Sequence, residues 1–267
     1  MEYIIIMILG LVAAILGSMG GLGGGIIIVP SFLILKSSIS IIADLSPQVI
    51  VGTSLIVVVF NGFSSTLAYL KQKKVDVKVA LLFFMGSAPG ALVGVFLNQF
   101  LNVDIFLVVL GMVIIILSVL MIWRHKMQVK PLDSSNSTQN NSFLLKSILK
   151  IILAFSVGIL SGLFGIGGGS LMVPTMIILL AFPPHKAVAT SMLLVFLSAL
   201  VSSSSHIAIG NVDWLIALLL IPGAIIGGKI GAELNQRLNG NTVMWVLFCL
   251  LSIVGVRLII QGISLIY

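Results

Sequence analysis

The chain has 267 residues, of which 59% are hydrophobic and 8% charged, with a formal net charge of +7. Soluble domains carry roughly 25% charged residues, so this composition excludes an ordinary water-soluble domain and places the chain in lipid. The single cysteine, Cys249, excludes an internal disulfide and a Cys-based metal cluster, and the basic residues gather in two short stretches between apolar runs, as in cytoplasmic loops and not in nucleic-acid binding.

Apolar stretches run over 3–36, 47–70, 79–97, 103–123, 148–182, 185–208, 214–234 and 242–263. The opening MEYIIIMILG has no basic n-region and reads as a retained first segment, not a signal peptide. A lipid-exposed strand must belong to a closed barrel, whose strands alternate over about ten residues. IIIMILGLVAAIL does not alternate. The expected fold is therefore an all-α integral membrane protein of about eight hydrophobic helical segments.

The first run contains GGLGGGIIIVPSFL, residues 20–33. A helix from Tyr3 to Gly17 climbs about 22 Å at 1.5 Å per residue, past the midplane of a ~30 Å hydrocarbon core. Glycine then permits left-handed backbone, and proline suits the first turn of a new helix. The pattern predicts a helix, an unwound turn and a second half-helix opening near Pro30. The fifth run repeats it as FGIGGGSLMVPTMI, residues 164–177. N–H groups at such an opening have no acceptor in lipid, and a helix N-terminus favours an anion. Gly23, Gly24, Gly25, Pro30, Gly167, Gly168, Gly169, Ser170 and Pro174 are thus candidate substrate-binding residues. Close helix packing is the competing reading. Against it, adjacent glycines cannot all line one helix face, and a proline follows both clusters at one spacing.

Each next span opens with a Thr-Ser pair, Thr53-Ser54 and Thr190-Ser191. Their hydroxyls are candidates for substrate oxygens or for their own helix carbonyls. Asn61 is a candidate pore amide or interhelical contact. Tyr69 and His206 occupy matching positions near span ends, where interfacial placement is expected over a proton relay. Asp76 and Asp213 stand directly before the third spans, as helix N-caps do. Lys229, Glu233 and Arg237 share one helix face at four-residue spacing, the arrangement of paired side chains snorkelling to the interface.

The polar stretch RHKMQVKPLDSSNSTQNNSFLLK divides two related halves, giving a first membrane repeat over 1–123, a linker over 124–147 and a second repeat over 148–267. A shift of 144 lays Gly23, Gly24, Gly25 and Pro30 on Gly167, Gly168, Gly169 and Pro174. A shift of 137 lays Thr53-Ser54 on Thr190-Ser191, Asp76 on Asp213, and Gly86, Gly90 and Gly94 on Gly223, Gly227 and Gly231. It also lays Leu97-Asn98-Gln99 on Leu234-Asn235-Gln236. The lysines of KQKK have no counterpart in AIGN, whereas Arg237 has none in the first half. Basic charge thus moves to the opposite loops, which favours halves inserted upside down with re-entrant first segments over eight plain spans in parallel halves.

With GGLGGGIIIVP and GIGGGSLMVP each followed by Thr-Ser, the chain resembles the TauE/SafE family, the sulfite exporter or anion permease family, over nearly its whole length. Phe164 departs from the pattern where the first half has Gly20. The resemblance implies a multi-pass permease of a prokaryotic plasma or inner membrane for sulfite, sulfoacetate, another sulfonate or a carboxylate. The expected mechanism is alternating access, with the bilayer and a small anion as partners. No cofactor or metal is expected, nor is nucleic acid. A coupling proton or ion and a homo-oligomer remain open. An anion channel is the alternative. An intramembrane enzyme using Ser170 and His206 is a distant one, because no residue to orient the histidine is evident.

Overall fold

The computed structural model describes residues 2–35, 40–97, 108, 111–112, 114–116, 118–123, 140–164 and 169–266. Every regular element among them is helical: α1 (Glu2–Met19), α2 (Gly25–Leu35), α3 (Ser40–Ala43), α4 (Pro47–Lys71), α5 (Val77–Leu97), α6 (Ile114–Trp123), α7 (Asn140–Phe164), α8 (Gly169–Leu180), α9 (Pro184–Ile209), α10 (Trp214–Arg237) and α11 (Gly240–Ile266). Six are long and apolar enough to cross a membrane, namely α1, α4, α5, α9, α10 and α11, the last over Gly240–Ile260. The remaining two apolar runs of the sequence supply the shorter Ile114–Trp123 and Ile151–Leu163.

Local chemistry sets the helix ends. Ser46 caps α4 by accepting the Val49 N–H at 3.3 Å, with Pro47 in the first turn. Asp213 caps α10 by accepting the Ile216 N–H at 2.9 Å, and Asp76 accepts the Val79 N–H at 3.2 Å. Both aspartates therefore cap as their positions predict. Gly210 ends α9 in the left-handed region at φ 82°.

The repeated glycines at four-residue spacing form two matching seams. In one, Gly223 and Gly227 of α10 face the backbone of Leu11 in α1. In the other, Gly86, Gly90 and Gly94 of α5 face the carbonyls of Ile151, Phe155 and Ile159 in α7. Residue number rises together along each pair, so α1 runs parallel to α10 and α5 parallel to α7. A Cβ at Gly223 would lie 2.7 Å from the Leu11 nitrogen. Lipid offers no hydrophobic drive between helices, so such backbone approach supplies the dispersion contact that holds them.

α4 and α9 pack against each other in the interior. Gly52 lies against His206, and ten residues on, Gly62 lies against Phe196 ten residues earlier. The two helices therefore run antiparallel. α6 and α11 do likewise, with Ser118 3.3 Å from Ser252 and Ile115 against Gly255. Apolar side chains such as Met85, Leu218 and Ile253 point outward and exposed, the reverse of a soluble core and suited to acyl chains.

Candidate functional site

α1 ends inside the protein, and its last carbonyls receive side chains instead of water. Tyr69 donates to the Ser18 carbonyl at 2.9 Å, and Asn235 donates through Nδ2 to the Met19 carbonyl at 2.8 Å. Both are fully buried. Such carbonyls would otherwise be orphaned. Tyr69 and His206 thus depart from the expected interfacial placement, since each is 0% exposed. The reason is that their span ends pack against broken-helix termini. Gly162, at the position matching Ser18, lies beside the His206 ring, yet neither ring nitrogen has a partner in bonding geometry.

The glycine stretch then folds back on itself. The Leu22 N–H bonds the Gly17 carbonyl at 2.7 Å, and Gly21, Gly23 and Gly24 take φ of 70°, 83° and 80°. L-residues visit that region at a cost of roughly 1–2 kcal/mol. α2 opens at Gly25, five residues before the expected proline, because the Gly24 carbonyl already accepts from Ile27 and Ile28 at 3.0 and 3.1 Å. Pro30 lies inside α2, and Pro174 likewise lies inside α8, which opens at Gly169. Gly167 and Gly168 lie outside the described residues, as does everything about the side chain of Ser170.

A polar constellation surrounds this turn. A Cβ on Gly24 would meet the Asn61 Nδ2 at 3.3 Å and the Ala13 carbonyl at 3.2 Å. Asn61, midway along α4, is 1% exposed, and its Nδ2 has no hydrogen-bond partner. Ser65 donates to the Asn61 carbonyl at 2.7 Å and approaches the Gly228 carbonyl at 3.2 Å, tying α4 to α10. The Ser191 hydroxyl lies 3.0 Å from the Gly21 carbonyl and 2.9 Å from the Val188 carbonyl of its own helix, sharing one proton between them. One residue from each half thus faces the turn, Ser191 at the Gly21 carbonyl and Asn61 beside Gly24.

The threonines find a use that the sequence did not suggest. Thr53 Oγ1 accepts the Asp213 N–H at 2.9 Å, and Thr190 Oγ1 accepts the Asp76 N–H at 3.0 Å. Ser54 donates to the Val51 carbonyl of its own helix at 2.8 Å. Lys229, Glu233 and Arg237 are exposed on α10, away from the turn. Ser18, Ser65 and Asn235 escaped the sequence reading. Only Asn235 carried a signal, through the repeated Leu-Asn-Gln.

A family model for "Sulfite exporter TauE/SafE" matches residues 6–258. Among similar curated proteins, "Probable membrane transporter protein YunE" of Bacillus subtilis is 42% identical over 98% of this chain and 99% of its own length. A "Probable membrane transporter protein" of Xylella fastidiosa is 28% identical over 87% and 84%, and one of Methanocaldococcus jannaschii is 26% identical over 96% and 95%. No solved structure matches. The doubled glycine–proline segments and the match over most of the chain agree: this protein belongs to the TauE/SafE sulfite exporter family.

Proposed function

We propose that the chain is a secondary transporter for a small sulfur-containing or organic anion, such as sulfite, sulfoacetate or another sulfonate. The observation that carries the reading is the Asn61 Nδ2, a buried donor without a partner, beside Gly24 at the N-terminus of α2. A buried donor left unpaired costs about 1–3 kcal/mol, and an anion between it and the first N–H groups of α2 would remove that cost. Glycine belongs at residue 24 because a side chain would fill the space between the helix opening and the amide. The names of its relative and its family, a probable membrane transporter and a sulfite exporter, point to the same activity.

Alternating access is the proposed mechanism. The antiparallel courses of α4 and α9, and of α6 and α11, support an inverted repeat, in which each half can rock against the other about a central site. In this arrangement α1 and α2 form a re-entrant hairpin. Lys71, Lys73, Lys74, Lys186 and Arg237 share one end of the bundle, which the positive-inside rule makes cytoplasmic. The proposed setting is a prokaryotic plasma membrane.

The test is flux of sulfite, sulfate, sulfoacetate and small carboxylates into proteoliposomes, with and without a pH gradient. Saturable flux with counterflow is expected for one of them, together with at least a tenfold weaker apparent affinity in Asn61→Leu and no flux in correctly inserted Gly24→Val. Wild-type affinity in both variants overturns the site. Non-saturating flux without counterflow overturns the transporter mechanism in favour of a channel.

A further inference from the structure

At the lysine-bearing end, a cleft of about 780 Å³ opens between the α4–α5 connection and the start of α9. Its walls carry Lys73, Lys74, Lys78, His185 and Lys186 around a single acid, Asp76. A concave surface lined by one sign of charge concentrates counter-ions at its mouth. The fold does not require these lysines. The matching positions of the other half, a shift of 137 away, are Gly210, Asn211, Leu215 and Val49, and that half builds the same helices without them.

We propose that this cleft is a second anion site, binding a small doubly charged oxyanion that takes Lys186 from Asp76. The identity of the anion as cargo rests on the transport reading, whereas the site itself does not.

Lys186 Nζ lies 2.8 Å from Asp76 Oδ2, and both side chains are partly exposed, at 40% and 25%. The bridge is therefore screened and weak, worth at most about 1 kcal/mol, so a dianion held by several ammonium groups competes with it readily. Asp76 stays in place when Lys186 leaves, because its Oδ1 still accepts the Val79 N–H. Lys186 also lies 4.3 Å from the centre of the Phe182 ring, which holds the ammonium over the cleft without a carboxylate. Lys74 has its pKa lowered by burial, a penalty on its charged form that a bound anion relieves.

Two bonded chains join the cleft to the turn. Asp76 donates its N–H to Thr190, whose neighbour Ser191 lies within hydrogen-bond distance of the Gly21 carbonyl, sharing its proton with Val188. His185 Nδ1 lies 2.9 Å from Asn235 Oδ1, and Asn235 donates to the Met19 carbonyl at the end of α1. Occupancy of the cleft therefore acts on residues that hold both flanks of the glycine turn.

The experiment is calorimetric titration of the purified full-length protein with sodium sulfate and sodium sulfite, in nanodiscs of neutral lipid at low ionic strength. Asp76→Asn retains the capping oxygen while removing the competitor, and is expected to tighten binding about fivefold. Lys186→Gln is expected to weaken it about tenfold. Asn61→Leu is expected to leave this binding intact while impairing flux. Unchanged affinity in both Asp76→Asn and Lys186→Gln overturns the proposal, as does loss of all binding in Asn61→Leu alone. Repeating the titration with phosphatidylglycerol in the disc separates the sources. Binding that excess sulfate cannot restore assigns the cleft to a lipid headgroup and overturns the soluble anion. Cleft binding that follows the variants in a protein without flux leaves this site standing and removes the transport reading instead.

Discussion

The backbone N–H of Asp213 donates to Thr53 Oγ1 at 2.9 Å, and the N–H of Asp76 donates to Thr190 Oγ1 at 3.0 Å. Thr53 and Thr190 are one position of the repeat, and Asp76 and Asp213 are another. The same bond is thus made twice with the halves exchanged, as in a two-fold interface where residue i meets j and j meets i. Each bond closes one end of the bundle, joining the start of a second span to the loop before the opposite third span.

Removing the acceptor should destabilise without touching the site between Asn61 and Gly24. Thr53→Val and Thr190→Val each leave a part-buried N–H unpaired, a loss of about 1–3 kcal/mol. Thr→Ser keeps the oxygen and should lose less than half of that. Melting temperatures of purified variants report the cost, and apparent anion affinity should stay within about twofold.

The side chains that receive the end of α1 provide a second measurement. Tyr69→Phe deletes one donor to the Ser18 carbonyl and should cost about 1 kcal/mol. Asn235→Leu removes the donor to Met19 together with the acceptor for His185, so its loss should be larger. Denaturation in detergent ranks the two.

Glycines in this chain serve different ends, and substitution separates them. Gly90→Leu drives a side chain into the Phe155 carbonyl across the α5–α7 seam and should abolish monodisperse protein. Gly240→Ala meets nothing within 4 Å and should be neutral. Gly210→Ala also has open space but keeps a φ of 82°, so it should cost about 1 kcal/mol from backbone strain alone. Size-exclusion profiles and melts distinguish the three.

Sidedness is open to direct labelling. In a Cys249→Ala background, single cysteines at Lys73, Lys186 and Asn239 should react from one face, and those at Asp44 and Asn211 from the other. Reaction of the Lys73 and Asn211 positions from the same side would establish parallel halves.

Acid should weaken the closure at the lysine end. The hydrogen bond from Lys186, chiefly, holds the Asp76 carboxyl below its ordinary value, against a smaller opposing effect of burial. A carboxyl with a lowered folded pKa stabilises above its unfolded value, near 4, and loses that contribution as pH falls through the lower folded one. Because the pair is part-exposed, the effect stays under about 1 kcal/mol. Melts between pH 7 and pH 3 should show it, and Asp76→Asn should flatten that part of the curve.

Composition and apolar run length were enough to place this chain in lipid, because no arrangement of 8% charged residues covers a soluble surface. The glycine break after α1 and the Asp76 and Asp213 caps were equally legible, since each depends on local backbone chemistry at named positions. Local rules also misled. Pro30 marked a helix start that left-handed glycines had already made at Gly25, and Tyr69 near a span end signalled an interface. Only the tertiary structure put Tyr69 on the Ser18 carbonyl, Thr53 on Asp213 and the Asn61 amide beside Gly24. Those pairings join residues 51, 160 and 37 positions apart. In a chain where nearly every side chain is apolar, hydrophobic pattern cannot say which helix faces which. That choice falls to small residues that let backbones touch and to the few polar groups that must find partners out of water.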